Sequence, residues 1–198
     1  MMNFKYKLPP GYTIKDVKTE DFQGLWEKPA KRFFNEYSLF PEKKFLYSKK
    51  QLKFFKELRE QFKSAKHYRL NLAIFYKNKF AGWSWGYQET PTTFYMCNSA
   101  ILEQHRGKGL YTCLMREMMK RVVPLGYDQI YSRHIMTNNA ILIAKLKQGF
   151  KITNFELSYN FGAMIHLTYF SSELANAVLD FRSGYKRPNQ KMKKVFRL

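Results

Sequence analysis

The spacing of apolar residues near the start of the chain predicts helices. A threonine followed by two acids at 19–21 is typical of a capped first turn and predicts a helix over 19–37. Pro29 is expected to end or kink this helix because it lacks an N–H group. Apolar residues then recur every three or four positions over 48–62, which predicts a second helix with a basic outer face.

The period then changes to two, which predicts strands. Residues 12–17 alternate as a short strand, and alternation returns over 68–76, 80–88 and 92–102. Turn residues at 77–79 and 89–91 separate the last three runs. We therefore expect three consecutive antiparallel strands.

The second half of the chain mixes both periods. An apolar stripe predicts a helix over 110–123, which Pro124 and Gly126 stop. A strand over 128–135 follows, and then a helix over 138–148, capped by Thr137 and ended by Gly149. Strands over 150–159 and 163–170 predict a hairpin, and 171–181 predicts a last helix.

The length of 198 residues suits one domain. We place this domain at 1–181, followed by a tail at 182–198 with seven basic residues and no acid. No apolar run reaches the roughly 20 residues of a membrane helix, and the first ten residues lack the apolar core of a signal peptide. We therefore expect a cytoplasmic protein without membrane contact.

The net charge of +20 favours anionic partners, such as nucleotide cofactors or nucleic acid, although a general compositional bias explains it equally well. The two cysteines, Cys97 and Cys113, lack zinc-site spacing, and the four histidines are scattered. We expect no metal.

The segment between the third strand of the meander and the next helix has the chemistry of an anion site. Gln104-His105-Arg106-Gly107-Lys108-Gly109 combines two glycines, two cations and a helix start. Glycines let the backbone curl so that unpaired N–H groups converge on phosphate oxygens. The segment is neither a P-loop nor a dinucleotide-binding Gly-x-Gly-x-x-Gly motif.

Two motifs together resemble those of the GNAT family of acyl-CoA N-acyltransferases. Gln104-x-x-Gly107-x-Gly109 matches the family's phosphate-binding pattern, and the Asn-led helix closed by Gly149-Phe150 is similar to its second motif. The resemblance covers about 12–170. It implies an α/β (α+β) fold with a mixed, mostly antiparallel central sheet, a splayed strand pair and helices on both faces.

The resemblance also implies acetyl-CoA, or a related acyl-CoA, as co-substrate. The strand end would bind the pantetheine arm, the glycine loop would cradle the pyrophosphate, and Asn138 would contact the pantetheine. The implied cofactor-binding residues are Ala100, Ile101, Leu102, Gln104, Arg106, Gly107, Lys108, Gly109, Leu110, Tyr111 and Asn138.

The sequence departs from the family pattern at the proton donor. Lys145 stands where the family usually has a tyrosine that protonates the departing thiolate. Lys145 is therefore the candidate acid, with His134 and Glu89 as candidate bases. Other candidates are Glu103 as base, Tyr111 or Tyr131 as substitute acids, and Cys97 as a nucleophile that the resemblance argues against.

The activity that the resemblance implies is direct transfer of an acetyl or acyl group to a primary amine on a small molecule or protein. Two alternatives stay open. One is an acceptor carried by nucleic acid or the ribosome, such as an aminoacyl-tRNA, which the net charge, the basic segment 49–66 and the tail suggest. The other is a CoA-binding module without activity. The sequence leaves monomer and homodimer open.

Overall fold

The computed structural model describes residues 4–33, 46–63 and 67–196. Its elements follow the predicted order, and a 3₁₀ turn, Glu103–His105, precedes α3. The strands are β1 (Tyr12–Asp16), β2 (Arg69–Tyr76), β3 (Lys79–Thr90), β4 (Thr93–Ile101), β5 (Gln129–Ile135), β6 (Lys151–Ser158) and β7 (Gly162–Phe170). The helices are α1 (Thr19–Phe33), α2 (Lys49–Lys63), α3 (Leu110–Val122), α4 (Asn139–Leu146), α5 (Glu173–Arg182) and α6 (Gln190–Phe196).

The strands form one sheet in the order β1-β2-β3-β4-β5-β7-β6. All neighbours are antiparallel except β4 and β5. This parallel pair holds for only three residues, ending at Tyr95 opposite Tyr131, although both strands continue. The sheet therefore opens between them, which confirms the predicted mixed sheet with a splayed pair.

A β-bulge lies where the two strands separate. Trp85 of β3 pairs with Asn98 and Gly86 pairs with Met96, so Cys97 is the extra residue on β4. A bulge bends its strand and increases the local twist. The bulge at Cys97 thus gives β4 a local reason to turn away from β5.

Helices cover both faces of the sheet, as predicted. On one face, here the α3 face, apolar residues of α3 pack with Leu142 of α4 and with inward side chains of β2, β4 and β5. On the other, the α1 face, Phe22 and Ala30 of α1 pack with Ala73 and Trp83. None of the helices in the described ranges is both long and apolar enough to cross a membrane.

Several predicted boundaries were wrong. Helix α1 continues past Pro29 to Phe33, because an internal proline costs one backbone hydrogen bond, which tertiary packing can offset. The predicted extension to 37, and the part of the basic segment beyond 63, lie outside the described residues. Strand β3 runs through Glu89 to Thr90, so Glu89 lies in a strand rather than in the predicted turn.

The C-terminal half needs one correction and shows one feature that the sequence did not predict. Helix α4 is capped by Asn138, whose side chain accepts from the Ile141 N–H, and not by Thr137. The proposed tail contains α6, in which Met192 is buried. A buried apolar residue there gives part of this basic segment a packed position.

The register around the bulge predicts that Gly86→Ala is destabilising. An added Cβ would lie 2.5 Å from the Tyr95 carbonyl oxygen and 2.6 Å from the Phe94 ring, so both strands would have to move. We expect the free energy of unfolding in urea to fall by about 1–3 kcal/mol.

Gly24→Ala is the matched control. Gly24 is an exposed position of α1, with no atom within 4 Å of the added Cβ. The free energy of unfolding of Gly24→Ala should rise by about 0.5–1 kcal/mol, because alanine favours the helix. Equal effects of the two substitutions would contradict the close approach of β3 and β4.

Candidate functional site

The loop after β4 is shaped by two glycines with left-handed backbone. Gly107 has φ +74° and Gly109 has φ +72°, a region that other residues rarely adopt. Gly109 is the N-cap of α3, and no side chain caps the helix. The first helical hydrogen bond runs from the Cys113 N–H to the Gly109 carbonyl (3.2 Å).

This geometry leaves the first N–H groups of α3 directed out of the helix. A Cβ added at Gly107 or Gly109 would meet no atom within 4 Å, so the space beside the loop is open. The positive end of the helix dipole points into the same space. The loop is therefore suited to hold a phosphate or pyrophosphate.

The two cations of the loop are partly anchored to the protein. Arg106 Nε donates to the Ile101 carbonyl (3.3 Å), and Lys108 Nζ lies 3.3 Å from the Gln104 carbonyl and 3.4 Å from the Tyr12 hydroxyl. Both side chains, like Gln104, are exposed. The anchors hold positive charge beside the open space while leaving it accessible.

The opening of the sheet extends as far as this loop. β4 pairs with β3 up to Ile101, and the Leu102 N–H bonds the Ala81 carbonyl (2.9 Å). The pairing with β5 stops at Tyr95. Beyond Tyr95, β4 is thus unpaired with β5 as far as Ala100 and Ile101, although the Ile101 carbonyl already accepts from Arg106 Nε.

Lys145 occupies the point where the strands separate. Its side chain is 1% exposed, and its Nζ lies 3.4 Å from the Met96 sulfur and 4.3 Å from the Phe150 ring centre. Met96 is the first β4 residue beyond the last pair with β5. A thioether is a weak acceptor, and within the described ranges no carboxylate pairs with this lysine.

This burial changes the protonation of two candidate residues. Removal from water lowers the pKa of Lys145 to about 7. Burial, and then the nearby charge of Lys145, lower the pKa of His134 to about 3. The His134 Nε2 lies 2.8 Å from the Ser132 hydroxyl. A neutral histidine with this pKa is a weak proton acceptor near pH 7.

The remaining candidates divide between the two sides of the opening. Asn138 and Tyr111 lie with the helices of the α3 face: Asn138 caps α4, and Tyr111, in the first turn of α3, packs against the core. Burial raises the pKa of Tyr111, which makes it a poor donor. Glu103 lies in the 3₁₀ turn before the glycine loop.

Glu89 lies on the other side of the opening. Its Oε2 accepts from the Tyr131 hydroxyl at 2.5 Å, across the β4–β5 junction. Cys97 lies nearby in the bulge, and its pKa is about 11, because burial raises it more than Arg69 and Arg133 lower it. Cys97 is therefore a neutral thiol, which disfavours the nucleophile hypothesis.

Sequence reasoning missed the residues around Cys97 on the α1 face. Arg69, Tyr95 and Arg133 become neighbours of the bulge only through strand register. No motif marks them. The described residues contain no group of three or more His, Cys, Asp or Glu side chains suited to hold a metal.

The comparisons agree with this geometry. The sequence model of the acetyltransferase (GNAT) family matches residues 17–150, which is more than half of the chain. The chain therefore belongs to the GNAT family and is an acyl-CoA-dependent N-acetyltransferase by class. A search of curated protein sequences finds no match.

Solved structures show the same fold at low sequence identity. The ribosomal-protein-S18-alanine N-acetyltransferase of Escherichia coli has a TM-score of 0.56 at 17% identity, over 81% of this chain and 94% of that one. A GNAT acetyltransferase of Elizabethkingia anophelis with acetyl-CoA bound has 0.54 at 16%, over 82% and 99%. A putative acetyltransferase of Salmonella typhimurium with acetyl-CoA has 0.55 at 14%, over 82% and 95%.

Gly109→Asp tests the glycine loop. Its carboxylate would project into the space beside the first N–H groups of α3, where it would repel a pyrophosphate. We expect calorimetric binding of acetyl-CoA to fall at least about 100-fold, with the circular dichroism spectrum unchanged.

Gly126→Asp is the matched control for backbone strain. Gly126 has φ +86°, and its added Cβ also meets nothing within 4 Å, but it follows the far end of α3. Its acetyl-CoA affinity should equal that of the wild type. Equal affinities of all three proteins would refute the assignment of the loop.

Lys145→Met tests the cost of the buried lysine. The pKa of Lys145 is about 7 in the folded protein and lies below the ordinary value of 10.5. Between these two pH values the lysine is protonated in the unfolded chain and neutral in the folded one. The free energy of unfolding of the wild type therefore rises with pH between these two values, because the cost of burying a lysine that is charged in the unfolded chain is removed. One pKa unit equals about 1.4 kcal/mol. The free energy of unfolding of Lys145→Met should therefore exceed that of the wild type by at least ~2 kcal/mol at pH 7.

Urea unfolding at pH 7 and pH 9.5 measures this difference, which should shrink at the higher pH. Lys147→Met is the control, since Lys147 is exposed on the same turn and should change stability by less than about 0.5 kcal/mol. A pH-independent gap between wild type and Lys145→Met would contradict the lowered pKa.

Proposed function

We propose that the protein transfers the acetyl group of acetyl-CoA to a primary amine by direct attack. The observation that carries this proposal is the position of the sheet opening: it begins at Met96 and ends beside the glycine loop. An extended pantetheine arm fits this arrangement, with its pyrophosphate at Gly109 and its thioester near the bulge.

The proposed roles follow the chain from loop to bulge. Gln104, Arg106 and Lys108, with the amides of the first turn of α3, bind the phosphates. The β4 edge at Ala100 and Ile101 pairs with the pantetheine, and Asn138 contacts it from α4. A backbone N–H near the bulge stabilises the oxyanion, and alignment of the two substrates contributes much of the rate.

Lys145 is the proposed general acid. Its Nζ lies against Met96 at the opening, on the α3 face, where the thiolate would depart. A donor works best when its pKa lies near the working pH, and the pKa of Lys145 is about 7. The ammonium would give its proton to the thiolate and return to the neutral amine.

Glu89 is the proposed base. It lies on the α1 face with Tyr131, so it can take the proton of an incoming amine directly or through water. His134 lies beside Lys145, and its low pKa suits a neutral supporting group better. Acid and base would then act from opposite faces of the sheet.

The acceptor is an amine on a small molecule or a protein. An acceptor carried by nucleic acid is the second candidate. It is favoured by the basic helix α2, which exposes Lys49, Lys50, Lys53 and Lys56. We propose a catalytic domain over 1–181 with a basic segment after it, acting as a monomer or homodimer.

Thiol release from acetyl-CoA with a panel of amines tests the activity. Lys145→Met should keep acetyl-CoA affinity and lose about 10²–10³-fold in kcat, because the donor is absent. In the wild type, the rate should fall as pH rises through the pKa of Lys145. This falling limb should disappear in Lys145→Met.

Lys145→Tyr places the usual family residue at the same position and is the control. It should restore part of the rate and move the falling limb toward pH ~10. Unchanged kcat in Lys145→Met would remove the acid role. Acetyl-CoA binding without thiol release for any amine would instead support a module without activity.

A further inference from the structure

The α1 face beside the bulge carries a wall of aromatic rings. Tyr87 and Tyr95 lie 5.6 Å apart by ring centres, and Tyr95 and Tyr131 lie 4.9 Å apart. This aromatic row crosses the β4–β5 junction just before the sheet opens. An acceptor that approaches the thioester from this face would lie against it.

Two arginines flank Cys97 on the same face, and their environments differ. Arg133 lies over the Tyr95 ring (5.1 Å) and is paired with Glu156 at 3.4 Å. The exposed Arg69 is stacked on the Trp85 ring at 4.1 Å. Within the described ranges, no carboxylate pairs with Arg69.

Arg69 is held in a fixed orientation. Its Nε donates to Asn71 Oδ1 at 2.9 Å, and the Asn71 amide in turn donates to the Val17 carbonyl and the Thr19 hydroxyl. The Nε contact leaves the terminal nitrogens of the guanidinium for another acceptor. Beneath it, the buried Trp85 Nε1 has no hydrogen-bond partner. The cluster therefore has more donors than acceptors.

Arg69 carries the one unbalanced charge among these groups. Glu156 pairs with Arg133, and Glu89, which also acts electrostatically on Cys97, is the proposed base for the amine. Arg69 therefore keeps a positive charge for which the described residues supply no carboxylate. An acceptor amine that also carries an anionic group would supply one, and a guanidinium binds a carboxylate through paired N–H bonds.

From these contacts we infer that the acceptor is an amine bearing a carboxylate, of the size of an amino acid, and that Arg69 binds this carboxylate. The inference rests on the proposed acetyl transfer. The amine would face the bulge and Glu89, and the side chain would lie on the aromatic row. Arg69 is thus a specificity-determining residue rather than a catalytic one.

Thiol-release kinetics with matched amines test the inference. Alanine is compared with alaninamide, and phenylalanine with phenylalaninamide. The amide removes the negative charge and also lowers the pKa of the α-amine, so kcat/KM is expressed per concentration of neutral amine. We expect the wild type to favour each free acid at least ~10-fold in kcat/KM. Arg69→Gln should lose this preference, mainly through KM, with unchanged acetyl-CoA affinity and an unchanged or higher rate for the amides.

Arg187→Gln is the control, because Arg187 is an exposed arginine of the C-terminal segment, and it should behave as the wild type. A wild-type preference for the amides, or equal losses for acids and amides in Arg69→Gln, would overturn the inference. If the wild type prefers 1-aminoethylphosphonic acid to alanine, the inferred carboxylate would be wrong, and the anionic group of the acceptor would be a phosphoryl group.

A binding measurement separates this inference from the proposed activity. N-acetylalanine and N-acetylphenylalanine keep the carboxylate and need no turnover. If no amine is acetylated, calorimetric binding of these compounds to the wild type but not to Arg69→Gln would uphold the Arg69 site alone. Equal binding, or none to either protein, would overturn it.

Discussion

The rest of the site depends on the short pairing between β4 and β5. Three residue pairs hold the strands together, and beyond Tyr95 the strands separate. The extra residue at Cys97 supplies the bend, and Gly86, where an added Cβ would lie 2.5 Å from the Tyr95 carbonyl oxygen, lets β3 and β4 approach closely at the bulge. The opening is thus a consequence of sheet geometry, and it exposes a β-strand edge that a bound ligand can pair with.

The same opening explains the environment of Lys145. Where two strands separate, a side chain from the covering helix can reach between them, and here that side chain ends in an amine against Met96. An amine in such apolar surroundings destabilises the folded protein while its pKa is lowered. Conflicts of this kind between stability and local chemistry tend to occur at functional sites. The conflict at Lys145 is consistent with the proposed proton transfer, whereas packing alone would be served better by a methionine.

The sequence was informative where function depends on backbone conformation. Glycines at 107 and 109 are required by left-handed φ angles, so the loop could be predicted from residue type alone. The mixed sheet and its splayed strand pair were predicted only from the family resemblance, which two motifs carry. The cap of α4 was misplaced by one residue because Thr137 and Asn138 are both good capping residues. Burial of Lys145 was not predictable, since a lysine near a helix end is usually solvated.

Long-range register explains what the sequence could not supply on the acceptor side. Arg69 stands at the start of β2, far in sequence from Arg133 on β5, and pairings through β3 and β4 bring both to one face. The net charge of +20 is therefore a poor guide to specificity, because it is spread over the whole surface and screened by salt beyond about 10 Å. In the proposed acceptor assignment, the single oriented guanidinium on Trp85 would discriminate among amines more strongly than the overall field. The +20 charge would then have two separable effects: a general attraction for anions, and a local choice of acceptor at Arg69.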